Sequence, residues 1–92
     1  MTDGDVGRIL LAVDALERVD APAAARLLLE EALEGTEQAH DHQATARLRL
    51  RLAEVTEVPL DAERAYLAAV LATDSALTAR AGSLLRRRPG LR

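Results

Sequence analysis

The chain of 92 residues has no cysteine, lysine, phenylalanine or tryptophan, and its single aromatic side chain is Tyr66. Without cysteine, neither a disulfide framework nor a thiolate metal site can form. One tyrosine cannot supply the successive aromatic faces on which single-stranded nucleic acids stack. No apolar run approaches the roughly 20 residues of a membrane span, and the first residues carry acids where a secretory signal carries bases. We therefore expect a cytoplasmic protein, for which an intracellular bacterial setting fits.

The two most abundant residue types, alanine and leucine, favour helix. Alanine contributes 19 residues and leucine 17, so two strong helix formers make up 36 of the 92 positions. A chain of this length buries roughly 60 to 65% of its unfolded surface, which is enough for one modest core. The composition predicts a single all-α domain over residues 1–92.

Charge is unevenly distributed along the chain. The formal net charge is -3, but residues 1–43 hold ten acids and three arginines, whereas residues 44–92 hold five acids and nine arginines. Such polarity favours self-association or docking on a charged partner. All basic residues are arginine, which either codon bias in a GC-rich genome or avoidance of lysine modification would produce.

Helix caps and apolar spacing predict about five antiparallel helices joined by short connections. One hairpin is expected over residues 5–34, a second over 36–72 and a C-terminal capping helix over 73–88, with a tail at 89–92. The expected helix starts are marked by Asp3 or Asp5, by Asp20, by Asp61 and by Thr73 or Asp74. Glycine or proline marks the expected ends at Gly35, Pro59 and Pro89. Both a stack of helical hairpins and a compact bundle fit this pattern.

The third predicted helix, from residue 36 or 37 to 57, contains an ambiguous stretch. Within residues 46–53, apolar side chains alternate with Arg47, Arg49 and Arg51, as in a half-buried strand. Helix is favoured because no β-branched residue lies between positions 48 and 53 and no second strand candidate exists. In a helix, Leu50 points away from the apolar stripe to which Leu48 and Leu52 belong.

The fourth and fifth helices are predicted to bury mostly small side chains. In the fourth, one face is formed by Ala62, Ala65, Tyr66, Ala69 and Val70, and Leu67 and Leu71 widen it. The core side of the fifth is expected to hold Leu77, Ala81, Leu84 and Leu85.

One pattern occurs twice at an offset of 41 residues. Leu11-Ala12, Val19-Asp20 and Ala24 correspond to Leu52-Ala53, Leu60-Asp61 and Ala65. The arrangement resembles the tetratricopeptide repeat, although the spacing in that family is 34. The resemblance covers about residues 5–72 and implies paired antiparallel helices. It assigns the small packing positions to Ala12, Ala53, Ala24 and Ala65, and the acidic turn positions to Asp20 and Asp61. The fifth helix would then be a solvating cap.

Catalytic and metal-binding patterns are weak. Glu37 and His40 have the Glu-x-x-His spacing of di-iron bundles, and Glu34 lies three residues before them, but His40 and His42 are the only histidines. A solvated acidic first turn of the third helix is the preferred interpretation. Neither Ser75 nor Ser83 belongs to a nucleophile, base and acid set, and no glycine-rich phosphate loop exists. We expect no cofactor and no enzymatic activity.

The remaining hypothesis is a helical adaptor module that binds another protein. Arg47, Arg49 and Arg51 are predicted to form an exposed basic strip, with Leu50 and Glu54 beside it, suited to an acidic peptide or helix. If the repeat resemblance holds, the concave face brings Val6, Ile9 and Val13 to this strip.

Two alternatives stay open. Arg86, Arg87 and Arg88 could contact phosphates in a small nucleic-acid-associated regulator, although the net negative charge disfavours nucleic acid as the main partner. A homo-oligomeric structural helical protein is the other alternative.

Overall fold

The computed structural model describes residues 2–87, which form five α-helices and no strand. The helices are α1 Asp3–Arg18, α2 Pro22–Gln38, α3 His42–Thr56, α4 Pro59–Leu71 and α5 Ser75–Arg86. The predicted all-α fold is confirmed. The predicted tail at 89–92 and Arg88 lie outside the described residues. Within residues 2–87, none of the helices combines the length and the apolar character that crossing a bilayer requires.

The helices follow one another across a flat slab of 33 × 31 × 19 Å. Each helix packs against the next one in the chain, as connections of two or three residues require. α3 also contacts α1 and α5. Side chains of α1, α3 and α5 share one depression, and those of α2, α3 and α4 share another. The odd-numbered helices therefore line one face of the slab, and α2 and α4 lie on the opposite face.

The central helix, α3, is buried on two opposite sides. Ala44, Leu48 and Leu52 belong to a core shared with α1 and α2. Ala46, Leu50 and Ala53 belong to a second core shared with α4 and α5. Positions 48 and 50 are 200° apart around a helix, so an alternating sequence can supply both sides. This explains the strand-like pattern, and it confirms that Leu50 points away from the first stripe.

Three of the four connections have the same backbone geometry. Each has three residues, and the middle one is left-handed although it is not glycine: Asp20, His40 and Thr73, with φ of 57, 54 and 55°. In each, the next amide donates to a carbonyl five residues earlier, as Ala21 N does to Leu16 O at 2.8 Å. This Schellman-type bonding satisfies the carbonyls at the helix end and turns the chain back.

The predicted end of the second helix at Gly35 is wrong. Helix α2 continues to Gln38 because Thr36 is fully buried in the face that also holds Leu33. Its hydroxyl donates to Leu33 O at 3.2 Å and accepts from Thr45 Oγ1 at 2.9 Å. Since α3 then begins at His42, the predicted start at 36 or 37 is wrong as well.

Several predicted N-caps also differ. The cap of α1 is Thr2, which forms a capping box with Asp5, in place of Asp3 or Asp5 as the cap itself. Asp20 ends α1 in a left-handed conformation, so it does not cap α2. Asp61 lies in the first turn of α4, where it accepts a hydrogen bond of 2.7 Å from Thr56 Oγ1. Of the two predicted starts of the fifth helix, Thr73 and Asp74, the structure shows Asp74, which caps α5 by accepting from Leu77 N.

The predicted broad apolar face of α4 is partly wrong. Ala62, Ala65 and Ala69 face the second core. The other four residues of the predicted face are exposed: Tyr66, Leu67, Val70 and Leu71. Alanine lets α4 approach α3 closely, which leaves no room for the leucines in that core.

Truncation of either buried leucine of α3 tests its double role. Leu48→Ala and Leu50→Ala should each lower the free energy of unfolding by about 2–5 kcal/mol, because each leaves a cavity in a different core. Leu67→Ala, at an exposed position, should change it by less than about 0.5 kcal/mol. Urea unfolding followed by circular dichroism measures all three, and a small loss at Leu50 would contradict a second core.

Candidate functional site

A shallow groove of about 300 Å³ runs along the face formed by α1, α3 and α5. Its floor is apolar and consists of Leu10, Leu50 and Leu77, one residue from each of these helices. Arg47, Arg51 and Glu54 of α3 and Arg80 of α5 also line it, together with Gln43, Asp74 and Ala76. The groove therefore combines leucines with charged side chains from two helices.

Arg51 links α3 to α1 on this face. Its guanidinium donates to Asp14 Oδ1 at 2.9 Å and to Glu17 of α1, and it lies 3.5 Å from Glu54 Oε1. Partial burial opposes the charge of Arg51, but the hydrogen bonds that it donates to Asp14 and Glu17 outweigh burial and raise the pKa of Arg51. With three carboxylates around it, Arg51 is occupied by the fold and unavailable to a partner.

Arg49 is also used internally, but on the opposite face. Its Nη2 donates to Glu37 Oε2 at 2.7 Å and so joins α3 to α2. The pair lies in the depression between α2 and α4, where Arg26 pairs with Glu30 at 3.0 Å. Arg49 therefore does not belong to the surface that carries Arg47.

Arg47 and Arg80 are the cations of the groove with the weakest internal partners. Arg47 lies 4.0 Å from Asp3, a side chain that is itself 98% exposed. Arg80 is 61% exposed and lies 3.7 Å from Glu54. Each pair is long and has only one well-exposed member, Asp3 or Arg80, so it contributes little to stability and a ligand carboxylate can replace it at low cost.

The predicted exposed strip of Arg47, Arg49 and Arg51 is thus wrong as a single surface. Arg49 and Arg51 lie on opposite faces and are half-buried in ion pairs, and Leu50 is buried. Of the predicted set, Arg47, Arg51, Leu50 and Glu54 do share the groove.

The expected contribution of α1 to this surface is wrong as well. Val6 and Val13 are fully buried, Ile9 packs against the first core, and Leu10 supplies the groove floor instead. The contribution of α5 to the groove was not predicted, because nothing in the local sequence shows that Arg80 lies beside α3.

A hydrogen bond closes one end of the groove. Gln43 Nε2 donates to Asp74 Oδ2 at 2.7 Å, and Asp74 also caps α5. The hydrogen bond from Gln43, followed by that from the Leu77 amide, lowers the pKa of Asp74. The α3 start and the α5 start are therefore fixed to each other at the rim.

The residues considered for metal binding lie on different elements. Glu34 and Glu37 are on α2, His40 is in the left-handed turn, and His42 opens α3. Glu34 and Glu37 lie near the end of α2, so they do not form the predicted acidic first turn of the third helix. Within residues 2–87, no three potential His, Asp or Glu ligands are grouped closely enough to hold a metal ion.

The C-terminal arginines are partly described. Arg86 lies in the last turn of α5, where its guanidinium is 3.3 Å from Ser83 Oγ, and Arg87 is the C-cap. Arg88 falls outside the described residues. Positive charge at this position complements the α5 dipole, and a phosphate-contacting role for the three arginines stays a prediction.

Comparison of the chain with family models, with curated proteins and with solved structures gives no match. The 41-residue correspondence is not reflected in burial: Ala12 and Ala24 are exposed, whereas Ala53 and Ala65 are fully buried. Asp20 and Asp61 also occupy different positions, one in a turn and the other within α4. The tetratricopeptide resemblance stays a prediction.

Removal of the Arg51 charge should destabilise the domain. Arg51→Gln leaves Asp14, Glu17 and Glu54 without their shared counter-charge, and we expect a loss of roughly 1–2 kcal/mol in the free energy of unfolding. Arg26→Gln breaks a pair between exposed side chains within α2 and should cost about 0.5 kcal/mol or less. Chemical denaturation at low salt measures both, and equal losses would contradict a special role for Arg51.

Gln43→Ala should raise the pKa of Asp74 toward its ordinary value, because it removes the strongest hydrogen bond to the carboxylate. A lowered pKa stabilises the fold above the pKa of the unfolded chain, and this contribution disappears as pH falls through the folded pKa. Gln43→Ala should therefore lose stability near neutral pH and converge with the wild type in acid.

Asp5 is the control for this titration. Its pKa is also lowered, by the backbone and side-chain hydrogen bonds of Thr2 at the other end of the chain. Carboxyl titration by NMR should show that Gln43→Ala leaves Asp5 unchanged. A matching rise at Asp5 would mean a general loss of structure.

Proposed function

We propose that this protein is a non-catalytic interaction module whose groove between α1, α3 and α5 binds an acidic segment of another protein. The observation that carries the proposal is the position of Arg47 and Arg80, two weakly engaged arginines above an apolar floor. Arg47 comes from α3 and Arg80 from α5. A segment lying along the groove would therefore meet a cation on each of these two helices.

The charges favour a carboxylate ligand. Arginine offers a planar pair of donors that matches a carboxylate, and both Arg47 and Arg80 retain donors in their present ion pairs. Arg51 lies between Asp14 and Glu17 and offsets part of their negative charge, so their repulsion of an approaching acid is reduced. Glu54 is shared between Arg51 and Arg80. A ligand acid at Arg80 would replace Glu54 there, while Arg51 retains it.

The floor favours an apolar side chain next to that acid. Leu10, Leu50 and Leu77 offer aliphatic contacts, and an amphipathic helix with one or two leucines flanked by glutamates fits this combination. The groove has no aromatic anchor, the residue type that most often dominates binding energy. We therefore expect modest affinity, in the micromolar range.

A binding role is favoured over catalysis by what the groove contains. Its lining has arginines, carboxylates and an amide, but no serine or histidine. The two acids of the lining, Glu54 and Asp74, are each bound to a side chain of the fold and are therefore held in structural contacts. Nothing in this set forms a nucleophile with an adjacent base.

Selection from a random library of displayed helical peptides tests the proposal. We expect the enriched peptides to carry glutamate or aspartate beside leucine. Arg47→Glu and Arg80→Glu should each weaken their binding at least about tenfold, because a charge that attracts the ligand becomes one that repels it. Fluorescence polarisation with the enriched peptides measures the affinities.

Arg26→Glu is the matched control. Arg26 has the same 61% side-chain exposure as Arg80, but it lies on the opposite face. It should leave peptide binding within about twofold of the wild type. Enrichment of basic peptides, or equal losses in all three variants, would refute this site.

A further inference from the structure

Helix α4 places its large apolar side chains outside. All three of its leucines, Leu60, Leu67 and Leu71, are exposed, by 48, 66 and 62%, whereas the core receives only alanines. The leucines are seven and four residues apart, so they lie on one line along the helix, opposite the buried alanines. A surface helix typically turns its apolar side chains toward the core and its polar side chains outward, which is the reverse of the arrangement in α4. The leucine line of α4, Leu60, Leu67 and Leu71, is therefore an unpartnered face as far as residues 2–87 are concerned.

The neighbouring helix on the same face has a different character. The outward side of α2 carries Leu27, but Glu31 and Glu34 follow it at the next exposed positions. Leu11 on α1 is 68% exposed and has Arg8 and Arg18 on either side of it along the helix. Only the leucine line of α4 is continuous over the length of a helix among the five described helices.

Two opposite charges flank the leucine line. Glu63 and Arg64 are both exposed, and neither forms an ion pair with any residue in the range 2–87. Successive residues of a helix are 100° apart, so Glu63 lies on one side of the line and Arg64 on the other, at nearly the same height. A partner that fits this face needs leucines at its centre, a cation opposite Glu63 and an anion opposite Arg64.

We infer that the partner is a second copy of this chain, paired through α4 in parallel about a two-fold axis. This symmetry brings each leucine onto its own copy and places Glu63 beside Arg64 of the second copy, twice. An antiparallel pair would instead place Glu63 beside Glu63 and Arg64 beside Arg64. The two charges therefore select the parallel arrangement, in the way that charges flanking a coiled-coil seam do.

The contact is small, and its size sets the expected affinity. α4 has 13 residues and is about 20 Å long. Stable interfaces bury roughly 1,200–2,000 Å² in total, and one short helix pair provides less. We expect a reversible dimer with a Kd of roughly 10–500 μM, whose population rises with concentration.

Sedimentation velocity between about 10 μM and 1 mM tests the dimer. The weight-average mass of the wild type should rise toward twice 9.9 kDa. Leu67→Glu should raise the Kd at least about tenfold, because the two-fold axis places the new carboxylates against each other. Leu11→Glu, at an equally exposed position on α1, should leave the Kd within about twofold. A wild-type mass that stays monomeric at 1 mM, or equal effects of both variants, would overturn the inference.

Charge exchange tests the pairing of Glu63 with Arg64. Glu63→Arg and Arg64→Glu should each raise the Kd, by about threefold or more, and the double variant should restore it. Failure of the double variant to recover would refute these ion pairs.

Single cysteines test the direction, because the chain has none of its own. Under a mild oxidant, Leu60→Cys and Leu71→Cys should each form a disulfide with its own copy, since Cα atoms within about 7 Å can be bridged. Preferential cross-linking of position 60 to position 71 in a mixture of the two variants would show an antiparallel dimer and overturn the proposed symmetry.

Discussion

The burial of α3 on two opposite sides is the constraint on which the rest of the structure depends. It requires apolar residues at positions that alternate in the sequence, and the positions between them lie along the two open edges of the helix. Arginines occupy those edges, because a long aliphatic stem can pass the core while the charge reaches a carboxylate. Arg51 reaches α1 at one edge and Arg49 reaches α2 at the other. The same alternation thus supplies both cores and the ion pairs that fix the outer helices.

The number and type of the helices follow from local signals, whereas their ends and contacts do not. Pro22 and Pro59 in the first turns of α2 and α4, and Asp74 as a cap, are local features that the sequence displays. The end of α2 depends on His40 adopting a left-handed conformation, which histidine adopts more often than most residues but which its presence alone does not identify. Glycine at position 35 was the stronger local signal, yet the packing of α2 on α3 overrides it.

The candidate groove, too, was predictable only where it depends on local spacing and not on long-range packing. Arg47 and Leu50 lie on one helix, so their nearness is a matter of spacing. The nearness of Leu10 and Arg80 depends on how α1 and α5 pack on α3, which is a long-range property. The outward direction of the α4 leucines was missed because both alanine and leucine are apolar, and only packing distance decides which of them enters a core.

The left-handed turns have a further consequence. A residue with a Cβ in this conformation costs roughly 1 kcal/mol more than glycine, and the chain accepts that cost at Asp20, His40 and Thr73. The stability of the fold could therefore be raised at these connections. Glycine at any of the three positions would relieve the backbone strain, although it would also make the unfolded chain more flexible. None of these residues lines the groove or belongs to the leucine line of α4. Substitutions at these turns could thus change the thermal stability of the domain without altering either binding surface.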